Sequence, residues 1–182
     1  MKIEEVIRTV NQMKADDVIA NYAIGGAVGA TFYLEPVSTL DVDIFVEPHG
    51  AARLQVDGEH GVRGRRRVDC IGRVVTRPSD REIASQYVVI SGWPVQFLPA
   101  SGPLLEDALD NAVEVDVEGV PARVLTAEYL AAIALQTGRA KDKARVLQFI
   151  EAQALDPKKF EELTERHQLV DKWREFQTQF LE

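Results

Sequence analysis

The sequence predicts an α/β fold, in which a small, twisted mixed sheet is flanked by helices and followed by a C-terminal helical segment. Apolar residues recur at helical spacing near the N-terminus, alternate with polar residues in several later stretches, and return to helical spacing after residue 126. Helix and strand patterns that alternate along a chain are typical of α/β architecture. We therefore expect an α/β core over residues 1–125 and a helical segment over residues 126–182 that packs on it.

The first 48 residues predict a helix, a strand, a second helix and a second strand. Residues 3–13 carry the i, i+3, i+4, i+7 apolar stripe of an amphipathic helix. A short apolar strand then ends in a Gly-Gly pair. Residues 27–35 suit a helix that Pro36 stops, and residues 38–48 alternate as a strand does.

The rest of the chain predicts two hairpins and then helices. Residues 51–82 are rich in Gly and Arg and give only a weak pattern, with one helix start and one irregular strand. Residues 86–100 and 112–125 each predict two strands joined by a Gly-containing turn. In the helical segment, Thr126 and Asp156 are the expected N-caps, and a proline follows Asp156 at the first helical position.

Composition excludes several classes of protein. The formal net charge is −8, which gives no support for electrostatic binding along an extended stretch of nucleic acid. No apolar run approaches the ~20 residues that span a bilayer, and the charged N-terminus does not resemble a secretory signal. The single cysteine, Cys70, fits a reducing cytoplasm. The arginine run from Arg63 to Arg67 is either a solvated loop or an arm that contacts phosphates.

Asp41 and Asp43 are two aspartates in an otherwise apolar predicted strand. Residues i and i+2 of a strand share one face and lie about 6.6 Å apart. Two carboxylates at about that distance repel by about 3 kcal/mol at an effective dielectric of 20. A divalent cation removes this repulsion, and Mg²⁺ suits the arrangement because it takes one or two protein carboxylates together with substrate phosphates.

Gly25 and Gly26 fit the same purpose. Glycine lets a phosphate approach the backbone closely, and a helix that opens at this pair would present free N–H groups to an anion. Gly-Gly and Asp-x-Asp are each common. In the order strand, Gly-Gly, helix, turn and Asp-x-Asp strand they indicate a nucleotide–Mg²⁺ site far more specifically.

Residues 22–47 resemble the core motif of the DNA polymerase beta-like nucleotidyltransferase superfamily. The closer likeness is to small bacterial nucleotidyltransferases, including those of abortive-infection and toxin–antitoxin systems. The stretch ALQTGRAKDKARVLQFIE also resembles an Arg-x-Lys-Asp helix of several such families. The resemblance implies a polymerase-beta-like core that transfers a nucleoside monophosphate from a nucleoside triphosphate to a hydroxyl, with Mg²⁺ or Mn²⁺.

The resemblance also implies roles for individual residues. Gly25 and Gly26 would cradle the β- and γ-phosphates, and Asp41 and Asp43 would hold the metal. Thr39 would steady the turn before the aspartates. Further along the chain, Arg139 would belong to the nucleotide site. Lys141 would neutralise phosphate charge, with Asp142 orienting it or capping a neighbouring element.

Gln96 is the point at which this sequence departs from the family pattern. The superfamily places a third carboxylate on a neighbouring strand, and the matching position in WPVQFLP is Gln96. An amide oxygen can ligate a metal weakly, but it carries no charge and accepts no proton. Asp69 is the alternative source of the third carboxylate, with Glu82 and Asp116 as poorer ones.

The sequence therefore leaves two functional hypotheses open. The first is an enzyme that transfers a nucleotide to a hydroxyl of RNA, protein or a small molecule. The second is an inactive protein of the same fold that serves as a nucleotide sensor or as the partner-binding half of a toxin–antitoxin pair. The aspartate pair favours the enzyme, and Gln96 favours the inactive protein.

Overall fold

A computed structural model describes residues 2–36, 39, 41–48, 74–75 and 87–181. Its helices are α1 Ile3–Ala15, α2 Gly26–Ala30, α3 Pro103–Asp110, α4 Ala127–Thr137, α5 Ala140–Glu151, α6 Pro157–Arg166 and α7 Val170–Phe180. Its strands are β1 Ile19–Ile24, β2 Val42–Pro48, β3 Val74–Val75, β4 Tyr87–Ile90, β5 Trp93–Pro99, β6 Val113–Val117 and β7 Val120–Val124. Within these ranges no helix has the length and apolar content that crossing a bilayer requires.

The seven strands form one mixed sheet in the order β3-β4-β5-β2-β1-β7-β6. Strand β2 pairs antiparallel with β1 and parallel with β5, so it lies near the middle of the sheet. Strand β1 runs parallel to β7 on its other side. The predicted α/β class is therefore confirmed, and the strand that carries the aspartates is flanked on both sides.

Apolar side chains cover both faces of the sheet. On one face, helix α1 packs against alternate residues of β2, in a cluster that contains Val6, Ile7, Val10, Val42, Ile44 and Val46. On the other face, Phe45 belongs to a cluster built with α3 to α7, which contains Leu104, Leu130, Phe149, Phe160 and Phe176. Because side chains alternate along a strand, Asp41 and Asp43 share their face with Phe45.

Most predicted elements are present, and two differ from expectation. Both hairpin turns have positive φ at their two central residues, Ser91-Gly92 and Glu118-Gly119, as type I′ turns require. Helix α2 ends at Ala30, whereas residues 27–35 were expected to be helical. The chain leaves the helix there, and Tyr33 packs against both apolar clusters. Helix α3 was not predicted.

Asp107 on α3 ties that helix to the C-terminal helices. Its Oδ2 lies 2.8 Å from Nε2 of His167 and 3.2 Å from a guanidinium nitrogen of Arg166. Asn111 donates to its Oδ1 at 3.0 Å. Burial opposes ionisation, but hydrogen bonds from His167, Tyr129 and Arg166 lower the pKa of Asp107 below its ordinary value. The His167 side chain is only 5% exposed, so this ion pair lies mostly away from solvent.

We expect Asp107→Ala to destabilise the protein by about 2 kcal/mol, because it leaves two buried donors, the His167 ring and the Tyr129 hydroxyl, without their charged acceptor. Since the pKa of Asp107 is lowered, its contribution is present above the ordinary value of 3.8 and is lost as pH falls below it. Urea unfolding at neutral and acid pH measures the difference. Asp110→Ala, at an exposed position of the same helix, is the control; an equal loss in both variants would contradict the prediction.

Candidate active site

The aspartate pair lies at the beginning of β2, on the face that β2 presents to the C-terminal helices. Asp41 immediately precedes the strand, and Asp43 is its second residue. Both side chains are partly buried. The intervening Val42 and the following Ile44 point into the α1 side of the core and are fully buried. The alternation predicted from the sequence thus brings two carboxylates together at one end of the strand.

The Gly25-Gly26 turn lies directly against Asp43. The Gly25 N–H donates to the Asp43 carbonyl oxygen at 2.9 Å, which anchors the turn to β2. A Cβ on Gly25 would lie 2.4 Å from the Phe45 ring, and a Cβ on Gly26 would lie 1.9 Å from Asp43 Oδ2. Gly26 also has φ +56°, which favours glycine. The Gly26 backbone therefore borders the carboxylate, and the Gly25 backbone borders the Phe45 ring.

Gln96 lies beside Asp43 on the neighbouring strand. The parallel register pairs Asp43 with Gln96, and the antiparallel register pairs Gln96 with Tyr87 on β4. Residues paired in this way project from the same face of a sheet. Tyr87, Gln96 and Asp43 thus form a row across three strands, and Gln96 occupies the position at which the third carboxylate was sought.

Two hydroxyl groups hold the Asp41 carboxylate. Thr39 Oγ1 donates to Asp41 Oδ1 at 3.2 Å and also lies 3.1 Å from the Asp41 carbonyl oxygen. The Tyr87 hydroxyl donates to Asp41 Oδ2 at 3.2 Å. Thr39 was predicted to steady this turn, and the contact fits that role. Tyr87 was not predicted.

The beginning of helix α5 supplies the positive charge at the site. Arg139 is the N-cap of α5 and Lys141 lies in its first turn, and both are exposed. Each acts electrostatically on Asp43. Arg139 Nε donates to Asp142 Oδ2 at 2.6 Å. Asp142 was expected to orient Lys141 or to cap a neighbouring element, and in the structure its carboxylate pairs with Arg139.

Asp43 is an ionisable group whose charged form is disfavoured by the fold. Burial, with a further contribution from the charge of Asp41, raises the pKa of Asp43 from 3.8 to about 6. Lys141 and Arg139 act in the opposite direction without cancelling the effect. A cation placed between the two aspartates would compensate both the burial and the repulsion. A bound cation would therefore stabilise the charged form of Asp43.

The donor set fits one divalent ion of the Mg²⁺ type. It offers two carboxylates on one face, and Oδ2 of Asp43 occupies the space that a Cβ on Gly26 would fill. Among the residues that the structure describes, no group of three or more His, Cys, Asp or Glu side chains could hold a metal. Because Mg²⁺ completes its octahedron with water and phosphate oxygens, two carboxylates are sufficient for one ion. They are fewer than a two-metal site normally offers.

One of the three alternative carboxylates lies in the part of the chain that the structure describes. Asp116 lies on β6, at the far edge of the sheet, where its Oδ1 accepts from the Gly119 N–H at 3.0 Å. It is therefore excluded. Asp69 and Glu82 lie outside the described residues, as does the arginine run from Arg63 to Arg67.

Tyr87 could have been found from the sequence. A two-residue turn at Ser91-Gly92 pairs Ile90 with Trp93, and counting back along both strands pairs Tyr87 with Gln96. Once Gln96 was placed beside Asp43, the same count placed Tyr87 at the site. The hairpin turn therefore carries the signal that places Tyr87 at the site.

The chain was compared with family models, with curated protein sequences and with solved structures. No family model matches the sequence, and no curated protein sequence matches it. Among solved structures, the chain is similar to an antigenic nucleotidyltransferase-like protein from Paracoccidioides brasiliensis, with a TM-score of 0.46 and 13% sequence identity. The match covers 83% of this chain and 75% of that one.

Proposed function

We propose that the protein binds a nucleoside triphosphate together with Mg²⁺ and transfers its nucleoside monophosphate to a hydroxyl group. The observation that carries the proposal is the environment of Asp43. Burial and the charge of Asp41 raise the pKa of this carboxylate. The carboxylate lies against the Gly26 backbone, and the charges of Lys141 and Arg139 act on it. Carboxylates, a glycine-containing turn and cationic side chains recur in sites that bind a metal–triphosphate complex.

Each group has a part in this proposal. Asp41 and Asp43 hold the cation, which when bound neutralises phosphate charge. The Gly25-Gly26 turn allows the phosphates to approach the backbone, and Lys141 contacts them from α5. Arg139, held by Asp142, flanks the same phosphates. In the transfer, the acceptor oxygen forms a bond to the α-phosphorus, the bond from that phosphorus to the pyrophosphate oxygen breaks, and the acceptor proton leaves to solvent.

A second function is favoured by one specific observation. Gln96, not a carboxylate, stands beside Asp43 in the register of the sheet. A site with two carboxylates can bind a metal–nucleotide complex yet activate an acceptor hydroxyl poorly, since Gln96 takes no proton. In this alternative the protein binds nucleotide as a sensor, or is the partner-binding half of a toxin–antitoxin pair, and transfers nothing.

Calorimetric titration of ATP and CTP into the wild-type protein, with and without Mg²⁺, tests the proposal. We expect saturable binding that depends on Mg²⁺, because the aspartates repel an uncompensated triphosphate. The same samples, incubated with α-labelled nucleotide and with RNA or protein acceptors, report transfer. Binding with transfer supports the enzyme, and binding without transfer supports the sensor or partner protein. The absence of binding at millimolar nucleotide would exclude the enzyme and the nucleotide sensor.

A further inference from the structure

We infer that the hydroxyl groups of Tyr87 and Thr39 form a clamp that positions Asp41 to receive the cation, with Tyr87 as the principal positioning residue. The inference rests on the proposed function, because it concerns the same cation. It adds a residue from strand β4 to a site otherwise built from β1, α2, β2, β5 and α5.

Asp41 depends on these side-chain contacts because the sheet does not hold it. The paired register of β2 and β5 begins at Val42, one residue after Asp41. Asp43, by contrast, lies within the strand and accepts a backbone hydrogen bond from Gly25. The backbone pairing between β2 and β5 therefore fixes Asp43 but does not include Asp41. The Asp41 carboxylate must be held in place by side-chain contacts instead.

The clamp supplies that order through both carboxylate oxygens. Thr39 donates to Oδ1 and Tyr87 to Oδ2, each at 3.2 Å. Two donors on opposite oxygens fix the rotation of the carboxylate plane. Each oxygen keeps a further lone pair for a cation, because a carboxylate oxygen accepts more than one partner. The clamp and a metal ligand bond are thus compatible on the same group.

Tyr87 is the more rigid of the two donors. Its backbone pairs with Gln96 in the β4–β5 hairpin, and its side chain is partly buried. Thr39 lies outside the paired strands. A tyrosine ring has only two side-chain torsions, so it carries the hydroxyl across the face of the sheet at little entropic cost. Groups that orient a metal ligand typically change metal affinity about 10- to 100-fold when removed.

The test is Mn²⁺ binding to Tyr87→Phe, followed by electron paramagnetic resonance in the presence of ATP. We expect the Mn²⁺ affinity to fall about tenfold. Thr39→Val should lower it in the same direction, and it serves as a second variant if Tyr87→Phe folds poorly. The urea-unfolding midpoint of each variant should remain close to that of the wild type, a result that a general loss of structure would not give.

Tyr22→Phe is the matched control. It also removes one tyrosine hydroxyl, which donates to Asn11 Oδ1 at 2.6 Å, well away from the aspartates in the register of β1. We expect it to leave Mn²⁺ affinity unchanged. If the wild type binds Mn²⁺ and Tyr87→Phe binds it equally well, the clamp is wrong while the proposed function stands. If the wild type does not bind Mn²⁺ with ATP, both are wrong.

Discussion

Replacing Asp43 with asparagine is expected to abolish Mg²⁺-dependent nucleotide binding and, at the same time, to make the nucleotide-free protein more stable at neutral pH. Binding is lost because an amide brings no charge to the cation and leaves Asp41 as the single carboxylate ligand of the proposed site. Stability rises because the substitution removes a charge that the fold tolerates poorly. The two effects have opposite signs, which separates loss of function from loss of structure.

The pH dependence of the stability effect follows from the raised pKa. Burial lifts the pKa of Asp43 from 3.8 to about 6, so in this range the folded protein holds a proton that the unfolded chain has released. The stability of the wild type therefore falls as pH rises from 3.8 to about 6 and then levels off. Above that range the penalty is on the order of 3 kcal/mol, since one pKa unit corresponds to ~1.4 kcal/mol.

Urea unfolding of the wild type and Asp43→Asn between pH 4 and pH 8 measures this difference, and calorimetry on the same samples measures MgATP binding. The two proteins should be nearly equal in stability at the acid end, with the variant increasingly favoured towards neutral pH. Asp110→Asn, exposed on α3, should follow the wild type throughout. A variant that binds MgATP as tightly as the wild type would contradict the assignment of Asp43.

Much of the fold could be predicted because its signals are local. The apolar stripe of α1, the Gly-containing hairpin turns and the capping Asp156, which accepts from the N–H groups of Lys158 and Lys159, each act within a few residues. Helix α2 is the counterexample. Its local pattern favoured a helix to residue 35, but packing of Tyr33 between two apolar clusters outweighs that preference.

The candidate site was only partly predictable, because its parts come from distant segments of the chain. Asp41, Asp43 and the glycines belong to one short motif, so sequence order alone brought them together. Their relation to Gln96 depends on β5 pairing with β2, and their relation to Arg139 and Lys141 depends on where α5 begins. The raised pKa of Asp43 arises from burial by the assembled fold, which no local pattern encodes.

Substituting Gly26 with alanine is expected to have the second large effect, a loss of both stability and nucleotide binding. A Cβ at this position would lie 1.9 Å from Oδ2, 2.8 Å from Cγ and 2.9 Å from Cβ of Asp43. Rotating the aspartate side chain moves the first two atoms but leaves its Cβ in place. The backbone of the turn or of β2 must therefore shift, and the carboxylate moves away from the position that the proposed cation site needs.

The backbone conformation adds a separate cost, which a second glycine isolates. Gly26 has φ +56°, and an alanine held at such a φ lowers the free energy of unfolding by about 1–2 kcal/mol. Gly119 has φ +80° with nothing within 4 Å of the added Cβ, so Gly119→Ala has the conformational cost without the collision. We expect Gly119→Ala to lower stability modestly and to leave MgATP binding intact. Gly26→Ala should lose more stability and nearly all binding. If Gly26→Ala lost no more stability in urea unfolding than Gly119→Ala and bound MgATP equally well in calorimetry, the contact between Gly26 and Asp43 would not be needed for either property.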